Sequence, residues 1–173
     1  MVRTAHTAEL DAATLKAAHA LMIDAFAGEL TDQDWDNCIG GLHALAYERD
    51  ELIGHAALVQ RHLIHEGRSL RAGYVEGVGV RADRRRRGVA GALMDAVERV
   101  IGQVYELGAL GSSDDGLPFY LGRGWRAWDG PLAVLTPDGI VETPDEEGWI
   151  LVFGTSLSGG TLTCGDWRTG DVW

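Results

Sequence analysis

Four consecutive arginines followed by a glycine, residues 84–88, are the part of this sequence whose residue types and spacing most clearly suggest chemistry. Residues 85–90 fit the pattern Arg/Gln-x-x-Gly-x-Gly/Ala, directly after a predicted strand and at the start of a predicted helix. The free N–H groups and the positive dipole end of such a helix favour an anionic pyrophosphate. Gly88 and Ala90 lack bulky side chains, so the backbone can approach the pyrophosphate closely, and the arginines add charge-assisted hydrogen bonds to it. The alternative is a basic solvated turn that caps a core helix.

The charge of the whole chain gives this turn its significance. The sequence has 15 Lys and Arg against 26 Asp and Glu, a formal net charge of −11. Such a field repels phosphate backbones and attracts cations, so nucleic acid is not an expected partner, although a negative charge also simply keeps a protein soluble. A local reversal of sign at residues 84–87 indicates a bound anion on that face.

Glu76 is a second residue that needs an explanation. It interrupts an apolar stretch between Val75 and Val78, where burying an unpaired carboxylate would be costly. The alternative is that strand alternation directs it to solvent or to a salt bridge.

The elements that must position these residues follow from hydrophobic periodicity. Residues 11–26 predict an amphipathic helix with Asp11 as N-cap, and Thr31 with Asp34 predicts a capping box that begins a second short helix. Residues 43–48, 52–59 and 70–80 predict an antiparallel meander of three strands. Residues 89–104 carry an apolar stripe at helical spacing.

Beyond this long helix the pattern predicts shorter elements. They are a strand at 105–110, a helical segment at 117–121, strands at 126–128 and 149–153, and an acidic loop at 137–148. No repeat or linker divides the chain, so we expect a single α+β domain over residues 1–173 with a mostly antiparallel mixed sheet flanked by helices.

The sequence offers little support for secretion, membrane insertion or metal binding. No apolar run approaches the ~20 residues that span a bilayer, and the N-terminus has no apolar signal core. Cys38 and Cys164 lie far apart without Cys or His ligand spacing, which favours two buried thiols over a disulfide or a zinc site. We expect a cytoplasmic protein with no metal and no membrane partner.

With these motifs in place, the chain resembles the GNAT acyl-CoA-dependent N-acyltransferases. Their fold orders a helix pair, three antiparallel strands, a pyrophosphate loop, a long helix, a strand and a short helix, as predicted here. The segment 119–125, Phe-Tyr-Leu-Gly-Arg-Gly-Trp, is similar to a second signature of that superfamily.

A narrower resemblance covers nearly the whole chain. Residues 25–28, 40–45, 73–78, 107–110 and the terminal segment 166–173 are similar to the aminoglycoside 2'-N-acetyltransferases of mycobacteria and related actinobacteria. The tail ending in Gly-Asp-Val-Trp is more specific than the arginine turn. This resemblance implies acetyl transfer from acetyl-CoA to the 2'-amine of an aminoglycoside in a ternary complex, and a homodimer.

The resemblance also implies roles for individual residues. Tyr120 would be the acid that protonates the leaving thiolate, and Glu76, acting through water, or the carboxylate of Trp173 would be the base. Acetyl-CoA would contact Val78, Gly79, Val80, Arg85, Arg86, Arg87, Gly88, Val89, Ala90, Gly91, Ser113 and Phe119.

The acceptor would contact Glu29, Asp34, Glu76, Ser112, Glu146, Asp171 and Trp173. Glu29 and Glu146 depart from the family, which more usually has Asp at these positions. Gly111 stands where relatives have Ser, so that Ser112 takes the role or the contact is lost. Two other functions stay open: a GNAT enzyme for another polyamine or a protein amine, and a non-catalytic acyl-CoA-binding module.

Overall fold

The computed structural model describes residues 1–168 and 170–173, which form two compact units. The first comprises Met1–Val59 and Val75–Val100, and the second comprises Gln60–Tyr74 and Ile101–Trp173. Two long strands, β3 (Glu51–His65) and β4 (Arg68–Val80), contribute residues to both units.

The first unit combines strands with three helices. Its other elements are β1 (Val2–His6), α1 (Ala12–Ala25), α2 (Asp32–Cys38), β2 (Leu42–Glu48) and most of α3 (Val89–Val104). β1 pairs with β2 and β2 with β3, both antiparallel, and β4 is the next neighbour of β3.

The starts of α1 and α2 follow from their capping residues. The Asp11 carboxylate accepts a hydrogen bond of 2.7 Å from the Thr14 N–H. Thr31 and Asp34 form a capping box, in which each side chain accepts from the other residue's backbone N–H. Both predicted helix starts are confirmed. The caps begin the helices there because they satisfy N–H groups that the first turn leaves without intrahelical partners.

The core of the first unit lies between these helices and the sheet. Its cluster of buried residues includes Leu21 and Met22 of α1, Trp35 and Cys38 of α2, and Leu45 of β2. The predicted apolar stripe of α1 is buried only in part: Ala18 and Met22 lie in the core with Leu21, whereas Ile23 and Phe26 are exposed.

The second unit is dominated by short strands. They are β5 (Leu107–Gly111), β6 (Arg126–Ala127), β7 (Leu132–Thr136), β8 (Gly139–Glu142), β9 (Ile150–Phe153) and β10 (Leu162–Cys164), joined by the short helix α4 (Leu117–Leu121). The strand order is β6-β9-β5-β4-β3-β10-β7-β8. β4 with β5 and β10 with β7 are parallel pairs, whereas β5/β9, β6/β9, β7/β8 and β3/β10 are antiparallel. The predicted α+β class with a mostly antiparallel mixed sheet is confirmed.

The predicted loop at residues 137–148 is wrong over Gly139–Glu142, which form β8. β8 pairs with β7, with Val141 opposite Val134 and Ile140 opposite Leu135. Ile140 and Val141 remain exposed, so the strand is held mainly by backbone pairing and shows no burial pattern that periodicity detects. The sequence patterns also do not predict β1, β7 and β10.

Cys38 and Cys164 are both buried free thiols, as predicted. Among the described residues, no helix is long and apolar enough to cross a membrane.

Candidate active site

The arginine turn leads directly into α3, and its backbone is shaped for close approach. Arg86 and Gly88 have φ values of 59° and 80°. The Gly88 carbonyl accepts from the Ala92 N–H at 3.0 Å, so the N–H groups of Val89, Ala90 and Gly91 precede the first intrahelical bond. These three groups point along the helix axis, an arrangement that favours a bound anion.

Two arginines beside the turn are already paired with acids. Arg84 makes ion pairs with Glu48 at 2.8 Å and Asp83 at 2.7 Å. Arg81 does the same with Asp83 at 2.7 Å and Glu51 at 3.0 Å. Their charges are largely neutralised, so the charge reversal seen in the sequence is smaller than the count of arginines indicates.

Arg85 is engaged in a different way. Its guanidinium donates to the Val80 carbonyl at 3.2 Å and to the Ala25 carbonyl at 2.8 Å, which ties the turn to the ends of β4 and α1. Arg86 and Arg87 are exposed and make no ion pair within residues 1–168 and 170–173. The carbonyl bonds of Arg85 occupy its donors without neutralising its charge, so Arg86 and Arg87 are the side chains of the turn most accessible to a bound anion.

The strand segment predicted to contact acetyl-CoA is packed closely against α1. A Cβ at Gly79 would lie 2.6 Å from the Met22 sulfur, and one at Gly77 would lie 2.7 Å from the Met22 Cε. Gly79 and Val80 are buried, and Val78 is half-buried. Strand glycines often mark positions that a neighbouring segment approaches closely. Gly77 and Gly79 are therefore the sequence signal from which the contact with Met22 could have been predicted.

The remaining predicted residues of the first unit lie on different elements. Glu76 is half-buried on β4 and Glu29 is exposed after α1. Asp34 lies in the first turn of α2, where one carboxylate oxygen accepts from the Thr31 N–H and hydroxyl, both at 2.8 Å. Asp34 therefore has a structural function in addition to any contact with an acceptor.

In the second unit Tyr120 lies on α4 in an aromatic environment. Its ring is edge-on to Phe119 at 5.2 Å and to Trp125 at 6.1 Å. Burial raises the pKa of Tyr120 to about 12, because an apolar environment disfavours the phenolate. The phenol therefore stays protonated at neutral pH, as a proton donor must.

Tyr120 and the two predicted serines come together around Gly116. A Cβ at Gly116 would lie 3.2 Å from the Tyr120 ring, 3.3 Å from the Ser112 Oγ and 3.4 Å from the Ser113 Oγ. The Ser112 N–H donates to the Trp149 carbonyl at 2.9 Å, which fixes the start of this segment. Three residues predicted separately thus form one group in the structure.

A second group contains the acidic residues predicted to bind the acceptor. The Trp173 N–H donates to the Asp171 carboxylate at 3.1 Å, and the Trp173 indole donates to the Thr143 hydroxyl at 3.0 Å. Burial, followed by the negative charges of Asp171 and Asp145, raises the pKa of Glu146. Glu146, Asp171 and Trp173 therefore share one electrostatic environment, which an ammonium group would stabilise.

The two tryptophans of the C-terminal segment differ in burial. Trp173 is 7% exposed, whereas Trp167 is 54% exposed, so Trp173 is the tryptophan that packs. Thr143, which sequence reasoning missed, anchors its indole. No spacing signal identifies Thr143, because the contact joins positions 30 residues apart.

Metal chemistry has no visible ligand set in the structure. Within the described residues, no three His, Cys, Asp or Glu side chains are grouped so that they could hold a metal ion.

Comparison with known proteins identifies the family of the chain. Residues 6–128 match the family model described as an acetyltransferase (GNAT) domain. The chain belongs to the GNAT acetyltransferase family. A curated relative of this GNAT protein is the aminoglycoside 2'-N-acetyltransferase of Mycolicibacterium fortuitum, which is 45% identical over 178 residues, 99% of this chain and 91% of that one.

Several solved structures share the fold. Escherichia coli ElaA is 19% identical with a TM-score of 0.65, covering 89% of this GNAT chain and 99% of its own. The ribosomal-protein-S18-alanine N-acetyltransferase of Escherichia coli is 15% identical with a TM-score of 0.60, covering 92% and 97%. Eis1 of Mycobacterium abscessus is 21% identical with a TM-score of 0.62, covering 75% of this chain and 32% of its own.

Proposed function

We propose that this GNAT acetyltransferase transfers the acetyl group of acetyl-CoA to the 2'-amine of aminoglycosides. The observation that carries the proposal is the 45% identity over 99% of the chain to an enzyme named for that reaction. An inactivated antibiotic would be the product.

The binding of acetyl-CoA is assigned to the arginine turn and the strand before it. The N–H groups of Val89, Ala90 and Gly91, with Gly88 and the side chains of Arg86 and Arg87, would hold the pyrophosphate. Arg85 contributes its backbone and fixes the turn through its bonds to carbonyls. The backbone of residues 78–80 would pair with the pantetheine arm, and Ser113 and Phe119 would complete the contacts.

The acetyl transfer needs one group that accepts a proton and one that donates it. The neutral 2'-amine attacks the thioester carbonyl, the C–N bond forms and the C–S bond breaks. Glu76, through water, or the Trp173 carboxylate takes the proton from the amine, and Tyr120 gives its phenolic proton to the leaving thiolate. The raised pKa of Tyr120 supports this assignment, because it keeps the donor protonated.

Recognition of the acceptor is assigned to carboxylates. Glu29, Asp34, Glu76, Glu146 and Asp171, with Ser112 and Trp173, would contact the ammonium and hydroxyl groups of the sugar rings. The net charge of −11 supports this assignment, since it attracts a polycationic acceptor and repels nucleic acid.

The experiment that tests the proposal compares kanamycin B, which carries a 2'-amine, with kanamycin A, which has a hydroxyl there. We expect acetyl-CoA-dependent release of free thiol with kanamycin B and only background release with kanamycin A. Equal release from both antibiotics would contradict transfer to the 2'-amine. Release with neither antibiotic but with spermidine or a peptide amine would indicate a different acceptor.

The cellular context is part of the same proposal. We expect the enzyme to work in the cytoplasm as a homodimer, without nucleic acid or membrane partners. Sedimentation equilibrium of the purified chain checks the dimer, and a single species of monomer mass would contradict it.

A further inference from the structure

Two buried histidines in the first unit have no part in the proposed reaction. His43 of β2 and His55 of β3 are both 0% exposed, and the His43 Nδ1 lies 2.8 Å from the His55 Nε2. The neighbours of His55 on β3, from Ile53 to Leu58, are otherwise apolar or glycine and are buried. Burial of two imidazoles is costly where aliphatic side chains would fit, so the His43–His55 pair needs a reason.

The pair lies against Trp35 of α2. The Trp35 ring is 6.2 Å from the His43 ring and 5.6 Å from the His55 ring, and it also stacks on His19 of α1 at 4.7 Å. The position of α2 on the sheet therefore depends on a surface made partly of two titratable rings.

The hydrogen bonds of Thr7 allow two arrangements of the hydrogens in the pair. The Thr7 hydroxyl accepts from the Gly40 N–H at 2.9 Å, lies 3.2 Å from the Gly41 carbonyl, and lies 2.8 Å from the His43 Nε2. If the hydroxyl donates to Gly41, His43 donates to Thr7 and His55 donates to the His43 Nδ1. If the hydroxyl donates to the His43 Nε2 instead, the hydrogen bond between the two histidines reverses, and the His43 Nδ1 donates to the His55 Nε2.

The second nitrogen of His55 distinguishes the two arrangements. Within residues 1–168 and 170–173, the buried His55 Nδ1 has no hydrogen-bond partner. In the first arrangement this nitrogen is a bare lone pair, which is tolerable, whereas in the second it already carries a buried N–H without an acceptor, so the first arrangement is favoured. A proton added to the first arrangement creates that unpaired N–H together with a buried positive charge. A second proton also removes the acceptor between the two rings and breaks their hydrogen bond.

We propose that the His43–His55 pair is an acid-sensitive latch, which holds α2 on β2 and β3 while neutral and releases α2 when it takes up a proton. Release exposes Trp35 and Cys38 and displaces Asp34. The consequence for acceptor binding rests on the proposed function of Asp34, whereas the release itself does not.

The charged groups around the pair do not offset this effect. Burial lowers the pKa of His43, with a further contribution from His6, and burial with the proximity of His43 lowers the pKa of His55 to about 3. Besides the pair itself, β1, β2, α1 and α2 carry these titratable groups: Arg3, His6, Lys16, His19, Asp24, Asp32, Asp34, Asp36, Cys38, Tyr47 and Glu48. Among these, Asp32 lies near His19 at 4.0 Å, and Asp34 is engaged in the capping box.

The sign of the pH effect follows from linkage. The folded pKa of His55 lies below the ordinary value of 6.5, so the closed latch is stable above pH 6.5 and weakens as pH falls below it. Between pH 7 and pH 5, one such histidine increases the equilibrium constant for release by about 25-fold. A contribution from His43 would increase this factor.

Two cysteines provide the assay and its internal control. Cys38 lies on α2 and is 1% exposed, whereas Cys164 lies on β10 in the second unit and is 0% exposed. The full chain is labelled with 4,4'-dithiodipyridine at pH 7 and pH 5, and each site is quantified by peptide mass spectrometry. Each rate is divided by that of the urea-unfolded chain at the same pH. We expect the corrected rate for Cys38 to rise at least about 25-fold, and the rate for Cys164 to stay constant.

Substitutions identify the group responsible. His55→Gln keeps an N–H donor toward His43 but does not titrate, so the rise at Cys38 is expected to disappear. His43→Gln serves the same purpose if His55→Gln does not fold. His62→Gln changes an exposed histidine on β3 and is expected to keep the full rise. Equal rises at Cys38 and Cys164, or a rise that persists in the His55 and His43 variants, would overturn the latch.

The catalytic consequence is measured separately. We expect the KM for kanamycin B to increase more between pH 7 and pH 5 in the wild-type chain than in His55→Gln. If the labelling result holds and this difference in KM is missing, the latch stands and the role of Asp34 in acceptor binding fails.

Discussion

The packing of Met22 of α1 against two glycines of β4 makes a quantitative prediction about Gly79. A Cβ at this position would lie 2.6 Å from the Met22 sulfur, 3.1 Å from the Ala25 Cβ and 3.4 Å from the Leu21 Cδ2. The backbone of Gly79 is outside the left-handed region, so alanine adds no backbone strain. The cost of Gly79→Ala is therefore one of overpacking alone.

The size of that cost follows from the neighbour that must move. Overpacking by one methyl group destabilises a core by about 1–3 kcal/mol. Methionine is flexible, but Met22 is 0% exposed and its Cε is also confined by Gly77, so it has little room to yield. We expect Gly79→Ala to lower the free energy of unfolding by about 2 kcal/mol.

A double-mutant cycle tests this reasoning. Met22→Ala removes the sulfur, and in that background Gly79→Ala is expected to cost less than about 0.5 kcal/mol, a coupling above about 1 kcal/mol. Free energies come from urea unfolding at 25 °C, monitored by tryptophan fluorescence. The control is Gly102→Ala on α3, where a Cβ meets no described atom within 4 Å and helix propensity predicts a gain of about 0.5–1 kcal/mol.

The refuting results are specific. A Gly79→Ala chain as stable as the wild type, or an equal cost with and without Met22, would show that the sulfur does not set the requirement for glycine. The KM for acetyl-CoA provides a functional readout, because residues 78–80 are the segment proposed to bind it. An unchanged KM in a destabilised variant would separate packing from cofactor binding.

Three further predictions concern the proposed site. Arg87→Gln should raise the KM for acetyl-CoA about tenfold. Arg84 is paired with acids, so Arg84→Gln should change stability more than this KM. The reverse pattern in steady-state kinetics would contradict the assignment of anion binding to Arg87. Tyr120→Phe should lower kcat about 100-fold with little change in the KM for acetyl-CoA. Because burial raises the pKa of Tyr120 to about 12, the phenol should keep its proton between pH 8 and pH 10, and its ionisation should not lower the wild-type kcat there. Glu146→Gln should raise the KM for kanamycin B about fivefold at pH 7. Since the pKa of Glu146 is raised, the wild-type KM should begin to increase, as pH falls, at a pH above that at which carboxyl groups ordinarily titrate. The same change in KM in the exposed control Glu147→Gln would indicate a general effect of negative charge.

The sequence predicted well the elements whose signals are local. Asp11 and Thr31 mark helix starts, because a capping side chain bonds to N–H groups only two or three residues away. The stripe of α3 is equally visible, since one buried face imposes the helical period. β8 was missed because exposed Ile140 and Val141 pair with a strand and impose no such period.

The candidate site divides in the same way. The residue types around Gly88 and the pattern at Tyr120 could be identified from the sequence, since each depends on a short segment. The sequence could not show which arginines are free to bind an anion, because the groups that bond to Arg81, Arg84 and Arg85 include Glu48, Glu51 and the Ala25 carbonyl, which come from distant segments. The pairing of His43 with His55 also depends on the register of β2 against β3 and on the packing of α2.

The sequence alone determined the helices with their caps, the arginine turn and the excess of negative charge, because these depend on neighbouring residues or on composition. Only the tertiary structure decided which charges remain available, which tryptophan of the tail is buried and which imidazoles share a hydrogen. Side-chain partners that lie tens of residues apart meet only through strand register and helix packing, and burial then sets whether a titratable group such as Tyr120 or His55 keeps or rejects its proton.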